Sequence, residues 1–222
     1  MGSGVGPIGQ SIQNVVVRID AYNTVSYSGS GNTITSLFNK DILNISGVGF
    51  TANEIEKYFS FAGAGFVTSL RNTGVSGNTS RTMSAWVKFG RKATQGIMST
   101  GANGAGTGMA LETSSTVWVL GRGNTGTATT VTYNINTWYF ATYVSEQISG
   151  STHNVKLYIN GGLAHTAVVS SINLTNSTFR IGCNNSGVGI SGQIARANFY
   201  KSALSAKEIQ RSFWNYKSRF GL

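Results

Sequence analysis

Residues 136–166 read NTWYFATYVSEQISGSTHNVKLYINGGLAHT, and this stretch decides the fold class. The run at residues 138–144 is dense in aromatic and β-branched side chains, which is typical of a strand. Residues 155–159 begin with the alternation of apolar and polar side chains that favours a half-buried strand. Asn160-Gly161 then marks a tight hairpin turn, because both residue types accept positive φ. The stretch therefore predicts consecutive antiparallel strands and an all-β protein.

Polar connections and further strands extend this unit over most of the chain. Residues 145–154 are polar and contain glycine, so we predict a loop there, and residues 163–169 return as a strand. Residues 57–61 and 65–70 are predicted to pair around a short turn, and residues 20–40 to form a loop. Other strands are predicted at residues 15–19, 81–89, 96–99, 108–112, 116–121, 129–133, 178–182 and 191–200.

The end of the chain predicts one short helix. Ser205 is a good N-cap, and Glu208 three positions later completes a capping box. Leu204 and Ile209 form a hydrophobic staple across the helix start. Phe213 lies one turn after Ile209, so the two side chains share an apolar face.

Composition describes a globular domain of low charge density. The chain has 222 residues, 29 of them glycine, and only 11% are charged. A net charge of +10 favours anionic partners, which include nucleic acid, acidic glycans and an acidic protein shell; the alternative is that the charge serves solubility alone. The basic residues are scattered and form no basic block, so nucleic acid is the least favoured partner.

Several motifs together resemble one known family. They are SAWVK at residues 84–88, LYING at residues 157–161, FRIG at residues 179–182 and a closing pattern over residues 192–209. In order and spacing they are similar to the laminin-G-like, concanavalin A-like lectin/glucanase superfamily. The resemblance implies an antiparallel two-sheet jelly-roll sandwich with one short C-terminal helix, in a domain spanning residues 14–222.

The chain resembles the single-domain members found in bacteriophage particles most. That resemblance implies a non-enzymatic virion surface protein, either a capsid decoration or a fibre-associated module, made in the host cytoplasm. Its partners would be other virion proteins or further copies of itself, with host-surface adhesion as an added role. The alternative is a free-standing carbohydrate-binding lectin for anionic or neutral surface glycans. A glycan hydrolase is the less favoured third hypothesis.

Residues 1–13 form a glycine-rich leader that we interpret as a docking arm. Its apolar anchors would be two isoleucines, and its glycines would permit close backbone approach; these residues are Gly4, Gly6, Ile8, Gly9 and Ile12. A disordered tail, or an arm folded on its own domain, is the alternative. The leader lacks the apolar core of a signal peptide, and no apolar run approaches the roughly 20 residues of a membrane span, so we expect no membrane insertion.

The sequence predicts no enzyme, metal or cofactor. Glu54 and Glu56 are the one acidic pair at strand spacing, and a solvated edge explains them better than a glycosidase pair. The positions where the family often carries calcium-binding acids hold Ala62, Gly65 and Ala195. Two histidines and one cysteine do not make a zinc site.

Aromatic side chains suggest a candidate sugar site. Trp118 lies between Val117 and Val119, so it is exposed if both valines face the core, and it could then stack on a sugar ring. Arg122 and Tyr133 would flank it. The alternative is that Trp118 packs beneath a loop.

Four other residues are expected to be buried. Trp86 and Trp138 occupy core positions that the family resemblance implies, and Trp214 is predicted to pack on the sandwich. Cys183 is expected to be a small buried apolar residue, since a lone cysteine forms no intrachain disulfide.

Overall fold

The structure, a computed structural model, describes residues 14–53 and 56–222. This part of the chain forms fourteen strands, one α-helix and one 3-10 helix. The strands are β1 Val15–Asp20, β2 Thr33–Thr35, β3 Ile42–Ala52, β4 Lys57–Asn72, β5 Arg81–Phe89, β6 Gln95–Gly101, β7 Gly108–Thr113, β8 Val117–Gly121, β9 Gly126–Thr132, β10 Trp138–Ser149, β11 Thr152–Ile159, β12 Gly162–Val169, β13 Thr178–Ile181 and β14 Ser191–Tyr200. The helices are α1 Ala206–Tyr216 and the 3-10 helix Lys217–Phe220.

The strands form two antiparallel layers that share β4. The front sheet runs β12-β11-β10-β5-β14, and β14 then pairs with both β1 and the first half of β4. The back sheet runs from the second half of β4 through β13, β6, β7 and β8 to β9. The predicted all-β sandwich with a short C-terminal helix is confirmed.

One long strand replaces the predicted pair at residues 57–61 and 65–70. β4 continues through both segments and pairs along its length with β3, which the sequence did not predict. Gly63 has a φ of +95° and bends the chain without reversing it. At Gly65 a side chain would clash with the carbonyl oxygen of Gly47, so the paired strands β3 and β4 approach each other closely there.

Two predicted loops also contain strand. β10 runs on to Ser149 and β11 starts at Thr152, so the predicted loop at residues 145–154 is a hairpin around Gly150, whose φ is +51°. Polar strand residues are tolerated there because the end of β10 is exposed on both faces. The predicted loop at residues 20–40 contains the short strand β2.

The main core lies between the two sheets. Phe89 of β5 meets Trp118 of β8 with ring centroids 5.3 Å apart, and Phe179 of β13 stacks on Phe199 of β14 at 5.4 Å. Neither pair joins hydrogen-bonded neighbours, so these rings connect opposite layers. Cys183 is buried as expected, and burial raises the pKa of its thiol, which disfavours the reactive thiolate.

A second apolar cluster lies on the outer face of the front sheet, under the C-terminal helices. Trp86, Phe140 and Ile209 are buried in it, and Phe220 stacks on Trp86 with centroids 4.0 Å apart. The predicted capping box at Ser205 is present.

The prediction that Trp214 packs on the sandwich is wrong, since 57% of its surface is exposed. It follows Phe213, which faces the sheet, and one step along a helix turns the next side chain toward solvent. The Nζ atom of Lys217 lies 3.9 Å from the Trp214 ring centroid. Among the described residues, no helix has the length and apolarity needed to cross a bilayer.

Candidate functional site

Strand alternation places two charged side chains of β1 on the outer face of the front sheet. Val17 and Ile19 belong to the main core, so Arg18 and Asp20 point away from it. Asp20 is the register partner of Arg196 on β14, which brings a carboxylate and a guanidinium together across the strand pair.

The 3-10 helix closes one side of this site. Phe220 is anchored on Trp86, and the residue before it, Arg219, is thereby held over the end of β1. Tyr216, the last residue of α1, lies beside both Arg219 and Arg196.

These elements enclose a cavity of about 540 Å³ that is open to solvent. We call it the arginine pocket and define it by Arg18, Asp20, Tyr22, Arg196, Tyr216 and Arg219. Asn23, Thr24 and Leu37 complete its wall. The volume falls within the range of about 300–1,000 Å³ that is usual for small-ligand sites.

The pocket carries an excess of positive charge. An Nη1 atom of Arg219 lies 3.3 Å from Oδ2 of Asp20, and the Arg196 Nη1 atom lies 3.7 Å from the same oxygen. The backbone N–H of Tyr22 donates to Asp20 Oδ1 at 3.0 Å. Three guanidinium groups face one carboxylate, which leaves two positive charges uncompensated by lining side chains.

Several guanidinium donors in the pocket are buried without an acceptor. Arg196 is only 4% exposed, and its Nε and Nη1 atoms have no hydrogen-bond partner. The Nε and Nη2 atoms of Arg18 are also buried and have no hydrogen-bond partner. Leaving buried donors unpaired costs free energy, so such atoms call for an acceptor from outside the chain, either water or an anion.

Aromatic rings fix the orientation of the guanidinium groups. The Cζ atom of Arg196 lies 3.8 Å from the Tyr216 ring centroid, and that of Arg219 lies 4.8 Å from the same centroid and 5.0 Å from that of Tyr22. Stacking of this kind occupies the faces of the guanidinium planes and leaves their N–H edges free of the rings. Burial raises the pKa of Tyr22, so its phenol stays neutral and adds no negative charge.

The structure corrects the predicted sugar site. Trp118 is fully buried between the sheets and packs on Phe89, and Tyr133 is 1% exposed, so neither can stack on a sugar at the surface. The condition for that site, that both valines face the core, is not met, because Trp118 and Leu120 face the core while the flanking valines are partly exposed. Arg122 follows β8 in a turn and is not part of the arginine pocket.

Other predicted positions lie outside the described residues or have structural partners. The docking-arm residues Gly4, Gly6, Ile8, Gly9 and Ile12 fall outside the described residues, and so does Glu54. Glu56 accepts a hydrogen bond from Trp138 Nε1 at 3.2 Å and pairs with Lys88 Nζ at 3.4 Å. Across residues 14–53 and 56–222, no group of three or more His, Cys, Asp and Glu side chains could hold a metal ion.

Sequence reasoning missed the arginine pocket, although β1 carried a signal. In VVVRID, charges occur at two alternate positions of an otherwise apolar strand, which places both on the face opposite the core. Arg196 likewise interrupts an apolar run in β14.

Comparison with known families identifies the fold. The family model described as the concanavalin A-like lectin/glucanases superfamily matches residues 62–210. The chain belongs to this superfamily. A comparison with curated protein sequences found no match.

Solved structures share this fold at low sequence identity. Domain 4 of AbnA, a GH43 extracellular arabinanase from Geobacillus stearothermophilus in complex with arabinotriose, has a TM-score of 0.66 and 17% identity, over 89% of this chain and 97% of that chain. The binding domain of Paraclostridial Mosquitocidal Protein 1 has a TM-score of 0.69 and 16% identity, over 92% and 53% of the two chains. Botulinum neurotoxin type C, whose cell entry depends on two ganglioside molecules, has a TM-score of 0.68 and 17% identity, over 92% and 51%. The chain thus spans about half of the two toxin chains.

Proposed function

We propose that this chain is a non-enzymatic glycan-binding module whose ligand occupies the arginine pocket. The observation that carries the proposal is the open cavity of about 540 Å³ with the buried, unpartnered N–H groups of Arg196 in its wall. A polar wall suits a ligand rich in hydroxyl groups. Asp20 can accept from hydroxyls, Asn23 and Thr24 can donate and accept, and Leu37 offers an apolar contact.

Membership in a lectin-like superfamily supports the same proposal. The family model carries lectins in its description, and the similar arabinanase domain was solved with arabinotriose bound. These likenesses support carbohydrate as the ligand class, while the arginine pocket is proposed as the site from the structure of this chain.

The partners of the acidic residues support a non-enzymatic role. Six of the seven acidic side chains lie in the described residues, and each has a structural contact there. Glycoside hydrolysis requires two carboxyl groups facing one cleft, whereas the arginine pocket is lined by one, Asp20. We expect no release of reducing sugar from a polysaccharide panel, and turnover of any member would contradict the non-enzymatic role.

A glycan array followed by titration calorimetry tests binding in the pocket. Thr24 is exposed at the pocket wall, so Thr24→Trp should fill the entrance without disturbing the core and should abolish binding. Thr125→Trp is the matched control, because Thr125 is an exposed turn residue outside the pocket. Absence of any glycan ligand, or equal binding by both variants, would overturn the proposal.

A virion role is the narrower proposal that the sequence supports. The lack of a cysteine pair and the glycine-rich leader support a bacteriophage capsid decoration or fibre-associated module, for which glycan binding would supply host-surface adhesion. Mass spectrometry of purified particles should then find the protein, and deletion of residues 1–13 should lower its occupancy. Absence from particles would contradict the virion role and leave glycan binding untouched.

A further inference from the structure

We infer that the arginine pocket binds the carboxylate of an acidic sugar, a uronic or sialic acid, between Arg18 and Arg196. This inference rests on the proposed glycan-binding function and names the ligand class of the same pocket.

The distribution of charge in the pocket leaves these two arginines without a full counter-ion. Asp20 is engaged by Arg219 at 3.3 Å and by the backbone N–H of Tyr22 at 3.0 Å. Its approach to Arg196, at 3.7 Å, is longer than a hydrogen bond. The Arg196 side chain is only 5% exposed, so water compensates its charge poorly.

The number of unpartnered donors matches a carboxylate. Nε and Nη2 of Arg18 and Nε and Nη1 of Arg196 give four buried nitrogen atoms that lack an acceptor. A carboxylate offers two oxygens with about four acceptor positions. Because the four atoms are buried, a carboxylate in the cavity reaches them once the two side chains turn toward it, and guanidinium groups on neighbouring strands can then bind it with charge-assisted, bidentate hydrogen bonds.

The remaining wall argues for a sugar acid of single charge. Asp20 lies in the same pocket and repels a second negative charge more strongly than a first, which disfavours a phosphate monoester carrying about −1.5 to −2. Beyond the arginines, Asn23, Thr24 and the Asp20 oxygens are suited to sugar hydroxyls. A carboxylated sugar can therefore place its carboxylate on the arginines and its hydroxyls on the polar side chains of the same pocket.

Matched pairs of acidic and neutral oligosaccharides test this inference on the full chain by calorimetry. The pairs are sialyllactose with lactose and trigalacturonate with galactotriose, and a sulfated lactose serves as a third anion. Arg18→Gln removes one charge at a half-buried position, and Arg196→Lys keeps the charge but removes the planar fork. Arg91→Gln is the control, because it lowers the net charge equally at an exposed residue outside the pocket. Thermal unfolding verifies that each variant is folded.

We expect at least one carboxylated sugar to bind about tenfold more tightly than its neutral partner, and Arg18→Gln to remove that difference. Arg196→Lys should also reduce it, and Arg91→Gln should leave it within about twofold, since a distant exposed charge is screened. Neutral sugars that bind as well as acidic ones, or sulfated lactose bound in preference, would overturn the inference while leaving glycan binding intact. An equal loss in Arg91→Gln would also overturn it, and binding of no sugar at all would overturn the proposed function itself.

Discussion

At the scale of single residues, Asp20 holds the arginine pocket together. Its side chain is 9% exposed and is the one carboxylate among three guanidinium groups that line the cavity. Without it, Arg18, Arg196 and Arg219 would face one another with no opposite charge. The same carboxylate therefore supports the fold and sets the charge that a ligand meets.

Replacing this carboxylate should destabilise the protein. Asp20→Asn is expected to lower the free energy of unfolding by about 3 kcal/mol, the low end for a broken buried ion pair, because Arg219 is partly exposed. Asp41→Asn is the matched control, because the Asp41 carboxylate accepts a hydrogen bond from the Asn39 Nδ2 atom in an exposed setting. Urea denaturation measures both, and equal losses in the two variants would show that Asp20 has no special role.

Glu112 gives a pH-dependent prediction. It is buried on β7, which raises its pKa, although a hydrogen bond from Asn184 Nδ2 at 2.7 Å partly opposes the shift. A carboxyl whose pKa is higher in the folded state lowers the free energy of unfolding of the protein as pH rises from its ordinary pKa through the raised value. Glu112→Gln should therefore gain stability relative to the wild type as pH rises through the range from the ordinary pKa of the carboxyl to the raised one, by about the free energy of that shift.

Urea denaturation of both proteins across that pH range provides the check. Taking the difference between them cancels the titration of every other group. A difference that stays constant with pH, or that moves in favour of the wild type as pH rises, would contradict the assigned cause.

At the scale of elements, α1 is where local sequence and tertiary packing agree. The Ser205 side chain accepts from the Glu208 backbone N–H at 3.3 Å, and Ile209 is fully buried against the front sheet. Because the helix leads into Tyr216 and the 3-10 helix, its start also determines where Arg219 lies.

The helix start can be tested in two steps. Ser205→Ala should cost about 1 kcal/mol by removing the cap, and Ile209→Ala about 2–5 kcal/mol by leaving a cavity. Gln210→Ala is the control on the exposed face of the same helix. Thermal melts measure all three, and an Ile209→Ala variant as stable as the control would mean that the helix does not dock.

The close approach of the paired strands β3 and β4 depends on the absence of a side chain at Gly65. A Cβ atom there would overlap the carbonyl group of Gly47, which is backbone and cannot move aside cheaply. We expect Gly65→Ala to cost about 1–3 kcal/mol or more through overpacking. Gly162→Ala, where the nearest atom would lie 3.6 Å away, should have a small effect, and similar melts for the two variants would contradict the close approach of β3 and β4 at Gly65.

At the scale of the whole molecule, the sequence predicted the two-sheet sandwich better than it predicted which way individual side chains and strand segments point. The sandwich could be predicted from β5, because its sequence matches a family motif. The closing helix could be predicted because its apolar spacing follows an N-cap. In β8, VWVLG has apolar side chains at four consecutive positions, so a period of two could not decide whether Trp118 faces the core. In β4, glycine marked a bend that local sequence could not distinguish from a turn.

The arginine pocket could not be predicted because its parts are distant in sequence. Arg219 contacts Asp20 across 199 positions, and Arg196 reaches it only through the pairing of β1 with β14. The alternate charges of β1 indicated an outward-facing polar pair, but not the residues that would surround it.

The most direct test of glycan binding in the arginine pocket is a crystal structure of the protein soaked with its tightest-binding oligosaccharide. Density for a sugar between Arg18 and Arg196, with its hydroxyls near Asn23 and Thr24, is the expected result. Sugar bound elsewhere, for instance in the separate groove lined by Phe66 and Arg180, with no ligand in the arginine pocket, would contradict it.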